Sequence, residues 1–290
     1  MDLKHYFVQI SDFYFRFRNR LRKKLRKISE FSSDSNLSDS QVSFYIDNIR
    51  EILKSEDKLE RFRRSYDYRE ILEHVNFKLG NQYLEQIKVE LPESWERTVL
   101  VNKVNDIFGN PYTYNYRKIG LISPTTLRYV YTAIEINKQL EITPQDSVVE
   151  IGIGYGGQSA VMQRLFGIER ITVFDLQEVQ ELARLYLRKI GSPIELIDGN
   201  SKLQNSWDLA ISNYAFSELP KELQLWYLEH VLARAQKGYM VMNSGMTNFT
   251  GRSSGKLRIE EIKEYIPNLV IASEKPKSGP DNYVAIWKNS

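Results

Sequence analysis

The stretch "SVVEIGIGYGGQSAVMQRLFG", residues 147–167, constrains this chain more than any other. A short β-branched run is followed by glycines at 152, 154, 156 and 157, and then by helix-forming sequence. A strand that ends in closely spaced glycines and turns at once into a helix exposes bare backbone at the helix N-terminus, where a ligand can lie against it.

The sequence after this loop keeps the same rhythm. "SVVEIG", "RITVFDL", "IELIDG", "WDLAISN" and "YMVMNS" read as strands, separated by helical segments such as "QEVQELARLYLRKIG" and "KELQLWYLEHVLARAQKG". Short β-branched runs alternating with helices predict an α/β fold, a Rossmann-like three-layer sandwich with right-handed crossovers. The end departs from that pattern. "NLVIASEKPKSGPDNYVAIWKN" holds two strand-like runs joined by a loop too short for a helix. The expected sheet is therefore seven-stranded and mostly parallel, with an antiparallel carboxyl-terminal hairpin.

The amino-terminal part is of another kind. Residues 6–28 place apolar side chains at 7, 10, 14, 17, 21, 25 and 28, one face of a helix. Eight basic residues between Arg16 and Lys27 occur without an acid, which leaves the remainder of a +3 chain near −5. Residues 1–30 are expected to form a basic amphipathic helix, and three partners suit it. A helix on an anionic membrane leaflet gains about 1 kcal/mol per basic group. Docking on the body of the protein or on a second protomer, as a homo-oligomer, leaves the basic face solvated. Nucleic acid is the least favoured. "SEFSSDSNLSDS" reads as a linker, and the segment up to about residue 120 as a helical accessory region broken by Gly80 and Pro92. Within it Asn110, Tyr112, Tyr114, Asn115 and Tyr116 crowd a turn-rich loop, and Ser123 before Pro124 marks an N-cap and first helical position. Residues 121–290 are then the catalytic domain.

Composition excludes several chemistries. The chain has 290 residues and no cysteine, so disulfides, thiolate metal sites and cysteine nucleophiles are ruled out, and a reducing, cytoplasmic setting fits. Its three histidines, at 5, 74 and 230, show no metal-ligand spacing. No apolar run is long enough to span a bilayer, and charges interrupt the apolar run at the amino end where a signal-peptide core would lie.

Gly152-x-Gly154-x-x-Gly157 fits a dinucleotide fingerprint, which alone says little. Three neighbouring features discriminate. Glu150, two residues before the first glycine, would repel a pyrophosphate but suits a ligand bearing an ammonium group, such as S-adenosylmethionine. Asp175, 23 residues past Gly152, ends the next strand and can accept hydrogen bonds from ribose hydroxyls, as either cofactor requires. The closing hairpin is foreign to the usual dinucleotide sheet.

"VVEIGIGYGG", "VFDL", "LIDGN" and "NYVAIWK" resemble class I S-adenosylmethionine-dependent methyltransferases. More narrowly, "GNPYTYNYRKIGLISPTTLRY", "SNYAFSELP" and "SGPDNYVAIWK" resemble the sugar O-methyltransferases of bacterial surface-polysaccharide biosynthesis, over roughly residues 95–290. The resemblance implies S-adenosyl-L-methionine held by Glu150, Gly152, Gly154 and Gly156, with Asp175 and Leu176 at the ribose. It implies Asp198 and Gly199 at the adenine, and Asn213 and Tyr214 beside the methyl donor. The acceptor would be a sugar in a lipid- or nucleotide-linked glycan precursor, which a basic helix at the inner membrane face would suit.

A sugar hydroxyl is a poor nucleophile near neutral pH, so a base within hydrogen-bond reach should take its proton. Glu218 in "NYAFSELP" is the first candidate, against a reading as a first-turn acid facing the helix dipole. His230 is its rival, against a structural role inside a helix. Asn243 and Asn248 could orient the acceptor, and Tyr112, Tyr114 and Tyr116 could wall it or form a lid over the donor. Ala215 and Phe216 replace the prolines of the N/D-P-P-Y element of nitrogen methyltransferases, which disfavours nitrogen acceptors. An RNA methyltransferase, another small-molecule methyltransferase, a nicotinamide-dependent oxidoreductase and a non-enzymatic scaffold stand as alternatives.

Overall fold

The computed structural model describes residues 40–201, 206–243, 256–280 and 282–289. The basic segment at 6–28 and its linker lie outside the described residues, as does Asn248.

Four helices open the described chain: α1 (Ser40–Lys54), α2 (Glu56–Glu60), α3 (Tyr66–Ile71) and α4 (Phe77–Glu90). Gly80 does not break α4, as its type suggested. It lies inside the helix because a Cβ there would stand 2.1 Å from the Tyr116 hydroxyl and 2.9 Å from Pro124 Cβ. Helix α5 (Trp95–Asn102) follows. The tyrosine-rich stretch is an antiparallel pair, β1 (Tyr114–Tyr116) and β2 (Gly120–Ile122). Helix α6 (Pro124–Leu140) begins as its sequence predicts, with Ser123 Oγ accepting the Thr125 N–H at 3.2 Å.

The rest is one sheet with its crossover helices. In chain order come β3 (Val148–Ile151), α7 (Gly157–Phe166), β4 (Arg170–Phe174), α8 (Gln177–Lys189), β5 (Glu195–Asp198) and β6 (Trp207–Asn213). Then follow α9 (Ala215–Glu218), α10 (Lys221–His230), β7 (Ala235–Met242), α11 (Ile259–Tyr265), β8 (Val270–Ser273) and β9 (Tyr283–Lys288). Strand order is β5-β4-β3-β6-β7-β9-β8. The strands from β5 to β7 pair in parallel, while β9 inserts between β7 and β8 and is antiparallel to both. The topology reverses beside β3, so β3 carries its crossover to one side and β6 carries its own to the other. Such a switch point opens a crevice at the carboxyl ends of the strands.

Helix α10 is shorter than its sequence suggested. It stops at His230, and Ala235 and Lys237 join the sheet opposite Trp207 and Leu209. "ARAQKG" carries helix formers, but pairing on β6 overrides that weak preference.

The accessory helices share the core of the sheet domain. Helix α4 packs on α6, and α1 on α8, where Arg50 Nη2 meets Glu178 Oε1 at 2.7 Å. The deepest tie is Arg63, which is 0% exposed. It donates to Glu73 Oε1 at 2.5 Å, to the Asn105 carbonyl at 2.6 Å and to Asp106 Oδ1 at 3.3 Å. Asp106 in turn accepts from Ser123 N–H and Thr126 Oγ1 at the start of α6, at 2.6 and 2.7 Å. Tyr155, in the middle of the glycine loop, is fully buried among Phe62, Tyr129 and Tyr186, with the Arg63 guanidinium 4.7 Å from its ring centroid.

Candidate functional site

The glycine loop leaves β3 and enters α7 through left-handed backbone at Gly152, Gly154 and Gly156, with φ of +81°, +57° and +89°. A side chain is strained in that region, and there is no room for one: a Cβ on Gly152 would lie 2.2 Å from Ala215 Cβ. Leu72, just after α3, covers Gly154, its Cδ1 lying 3.1 Å from where a Cβ would stand. The accessory helices thus roof the loop.

Two carboxylates flank this turn, and neither has a cation in hydrogen-bonding contact among the described residues. Glu150 is 2% exposed and accepts from Ser159 Oγ on α7 at 2.6 Å. Burial pushes its pKa up to about 8; the Ser159 bond opposes that shift and the Asp175 charge adds to it. Asp175 ends β4 and accepts the Leu176 N–H at 2.7 Å and the Gly154 N–H at 3.3 Å. Burial raises it to about 7 despite those backbone bonds. The Gly154 bond fixes this carboxylate against the loop that would carry the nucleoside. Leu176 acts through that N–H, since its side chain is core.

Asp198, at the end of β5, is joined to Asp175 through two amides. Gln180 Nε2 donates to Asp198 Oδ1 at 3.0 Å and to the Asp175 carbonyl at 3.1 Å. Asn200 Nδ2 reaches the same two acceptors at 3.0 and 3.4 Å. Gly199 has a packing role. Its N–H bonds the Val173 carbonyl at 2.9 Å, and a Cβ would fall 2.6 Å from the Phe174 ring.

Across β3, the end of β6 supplies Asn213 and Tyr214. Tyr214 has φ of +69°, a conformation that costs a non-glycine residue about 1–3 kcal/mol and persists only when its surroundings fix it. Here its N–H bonds the Val241 carbonyl at 2.7 Å, and its hydroxyl donates to Glu274 Oε1 at 2.5 Å and lies 3.0 Å from Ser278 Oγ. Ser278 also accepts from Asn282 Nδ2 at 2.8 Å, so "SGPDNY" between β8 and β9 braces the end of β6. Asn213 Oδ1 is buried with no hydrogen-bond partner, and so is Gln158 Oε1. Both residues line a cavity with Arg128, Tyr129 and Tyr214.

The structure brings Glu150, the three loop glycines, Asp175, Asp198, Asn213 and Tyr214 to one rim of the sheet. Glu218 lies next to that rim, its Oε1 accepting from Asn243 Nδ2 at 2.5 Å, with Ser217 Oγ bonded to Asn243 Oδ1 at 3.0 Å. His230 does not join them. It ends α10 at the opposite end of the sheet, where β7 begins, with its ring stacked on Trp226 at 4.9 Å. The three tyrosines do not form one wall. Tyr114 and Tyr116 both pack on Phe77, with ring centroids 5.4 and 5.2 Å away, Tyr116 being 2% exposed beneath α4, while Tyr112 is 44% exposed between Arg64 and Arg69. Sequence reasoning missed Arg128, Gln158, Gln180, Asn200 and Glu274. "SGPDNYVAIWK" and "TTLRY" stood out as motifs, but nothing in them indicated which side chains turn inward. Among the described residues no group of three or more His, Asp or Glu side chains could hold a metal ion.

No protein-family model matches the chain. It is 32% identical over 118 residues to the protein-L-isoaspartate O-methyltransferase of Photobacterium profundum, covering 39% of this chain and 54% of that one. It is 31% identical over 120 residues to the protein of the same name from Helicobacter pylori, covering 38% and 52%. The chain thus spans about half the length of the curated relatives it matches. Among solved structures, a methyltransferase from Pyrococcus furiosus superposes with a TM-score of 0.41 at 19% identity, covering 67% of this chain and 98% of that one.

Proposed function

We propose that this protein is an S-adenosylmethionine-dependent methyltransferase whose acceptor is a sugar hydroxyl in a glycan precursor. One observation carries the cofactor half of that reading: Glu150 and Asp175, two buried carboxylates with no cation in hydrogen-bonding contact, flank a left-handed glycine turn. A diphosphate would find no cation there and would resist the ionisation of both acids still further, whereas an ammonium group would favour the ionised Glu150 and a ribose diol would donate to Asp175. The partial relatives, named as O-methyltransferases, support the same reading. Glu150 faces the ammonium, Asp175 takes the ribose hydroxyls, and Asp198, with Gln180 and Asn200 behind it, lies toward the adenine.

When bound, S-adenosylmethionine supplies an electrophilic methyl carbon, so the chain's own work is alignment, exclusion of water and removal of one proton. Leu72 and the accessory helices keep water from the loop. Tyr214, held in a strained conformation, fixes the acceptor side of the rim. Glu218, oriented by Asn243, would take the hydroxyl proton as the oxygen takes the methyl group and the methyl's bond to sulfur breaks, S-adenosylhomocysteine being the leaving group.

Calorimetry with S-adenosylhomocysteine against NAD tests the cofactor half. Binding of the former alone is expected, and binding of NAD instead would end the reading. A panel of nucleotide sugars with methyl-labelled donor tests the acceptor half. A second reading has the acceptor as a carboxylate, which needs no base, and the partial relatives' name favours it. Mild alkali separates the two, since it releases methanol from an ester and leaves an ether intact.

A further inference from the structure

Arg128 is a buried cation with no ion pair among the described residues; the carboxylate that shares its cavity, Glu274, is taken up by the Tyr214 hydroxyl and by Ser278. Arg128 is 8% exposed, one guanidinium N–H reaches the Leu72 carbonyl at 3.3 Å, and the group lies 5.2 Å from the Tyr129 ring centroid. Its near neighbours include the neutral phenols of Tyr129, which is hydrogen-bonded to it, Tyr214 and Tyr83, and none of the ion pairs among the described residues includes it. A guanidinium left in the interior without an anion is costly unless a ligand supplies one.

The cavity wall around it states a second demand. Gln158 donates its Nε2 to the Tyr129 carbonyl at 3.2 Å, which fixes its amide and leaves Oε1 as an acceptor with no partner. Asn213 Oδ1 is in the same condition. The wall carries Arg128 and Lys275 against one carboxylate, Glu274, whose oxygens already accept from Tyr214 and Ser278. The surplus positive charge and the two open acceptors suit a ligand with an acid group and hydroxyl donors. The cavity's enclosed volume is about 20 Å³, room for a single oxygen-sized tip, and the exposed Lys275 stands at its rim.

The cavity adjoins the donor rim through Asn213, Tyr214 and Gln158 and extends away from it. Tyr83 of α4, Tyr239 of β7 and Glu274 after β8 close it on the β6–β7 side, and neither Glu150, Asp175 nor a loop glycine contributes to the wall. We propose that this cavity seats the acid oxygen of an anionic, hydroxyl-bearing acceptor, a uronic acid or a sugar phosphate, on Arg128, with Asn213 and Gln158 accepting from its hydroxyls. The proposal rests on the reading of the β3–β5 rim as the donor site.

The test uses the full chain saturated with S-adenosylhomocysteine and titrated with glucuronate, glucose 6-phosphate or glucose, followed by ligand-observed NMR. At least one acid binds saturably, about tenfold or more tighter than glucose. Arg128→Gln brings that acid down to the level of glucose, Arg128→Lys recovers part of the difference, and S-adenosylhomocysteine affinity is unchanged in both variants. The tighter acid identifies carboxylate or phosphate as the group. Failure of both acids to bind, equal binding of glucose, or undiminished acid binding by Arg128→Gln overturns the proposal. A loss of S-adenosylhomocysteine affinity in Arg128→Gln overturns it too, because Arg128 would then hold the donor's own carboxylate. If Arg128→Gln does not fold, the wild-type discrimination between acid and glucose decides. If the wild type does not bind S-adenosylhomocysteine, the donor reading fails by itself, and the acid titrations on the protein alone judge the cavity.

Discussion

Arg63 and Arg128 are both buried arginines, and they lie in opposite electrostatic settings. Arg63 donates to two carboxylates and a carbonyl where the accessory helices meet α6, so its charge is answered inside the chain. Arg128, five residues into α6, touches a carbonyl and tyrosine rings, and the carboxylate in its cavity, Glu274, is held by Tyr214 and Ser278 instead. The same contrast holds for the acids. Glu73 and Asp106 are paired with Arg63, while Glu150 and Asp175 at the strand ends are not paired with any cation among the described residues. Where the chain answers its own charges the role is structural, and where it leaves them open a ligand is expected to answer.

The largest expected effect tests the paired side. Arg63→Met should cost about 3–5 kcal/mol of stability, because it strands two buried carboxylates. Arg128→Met strands none and should stay within about 1 kcal/mol of wild type, or stabilise. Urea unfolding of both variants measures the difference, and the reverse order would break the comparison. Next is Asp175→Ala, which should weaken S-adenosylhomocysteine binding by about 10–100-fold, as expected for loss of charge-assisted hydrogen bonds, while the fold survives. Unchanged affinity by calorimetry would remove Asp175 from the ribose.

The pH dependence sharpens the comparison at Glu150. Its folded pKa of about 8 lies above the ordinary 4.5, so its ionisation is disfavoured in the folded state. Stability should therefore fall as pH rises from about 4.5 and level off above 8, with Asp175 adding to the decline up to about 7. Affinity for an ammonium-bearing donor should run the other way, rising by at most about tenfold per pH unit toward pH 8. Glu150→Gln should flatten the upper part of both curves, and a wild-type affinity independent of pH would count against the ammonium contact. The smallest effect belongs to His230→Ala. It should cost about 1 kcal/mol from the lost stack on Trp226 and leave S-adenosylhomocysteine affinity unchanged.

The sheet and one half of the site were legible because their signals are local. A strand, its terminal carboxylate and the following glycine turn are contiguous in sequence, so Glu150, Gly152 and Asp175 could be placed before any coordinates. Arg128 was not legible, because a lone arginine in an amphipathic helix looks like any solvated position until the facing helix is known. Tyr155 and Arg63 gave no signal for a similar reason: the ring partners of the first lie up to 93 residues away and the hydrogen-bond partners of the second up to 43. His230 was misplaced by a boundary. The helix formers after it become strand because β6 offers them a partner.

Tyr155 bears on how this molecule can be divided. Its ring stands on the glycine turn and packs against Phe62, a residue of the accessory region. A fragment beginning near residue 121 would open a hole at the middle of the glycine turn and leave Asp106 cut away from the start of α6. The amino-terminal helices therefore act as a keystone and not as an appendage. Any protein built by grafting this sheet onto another cap would have to carry Phe62, Arg63 and Asp106 with it.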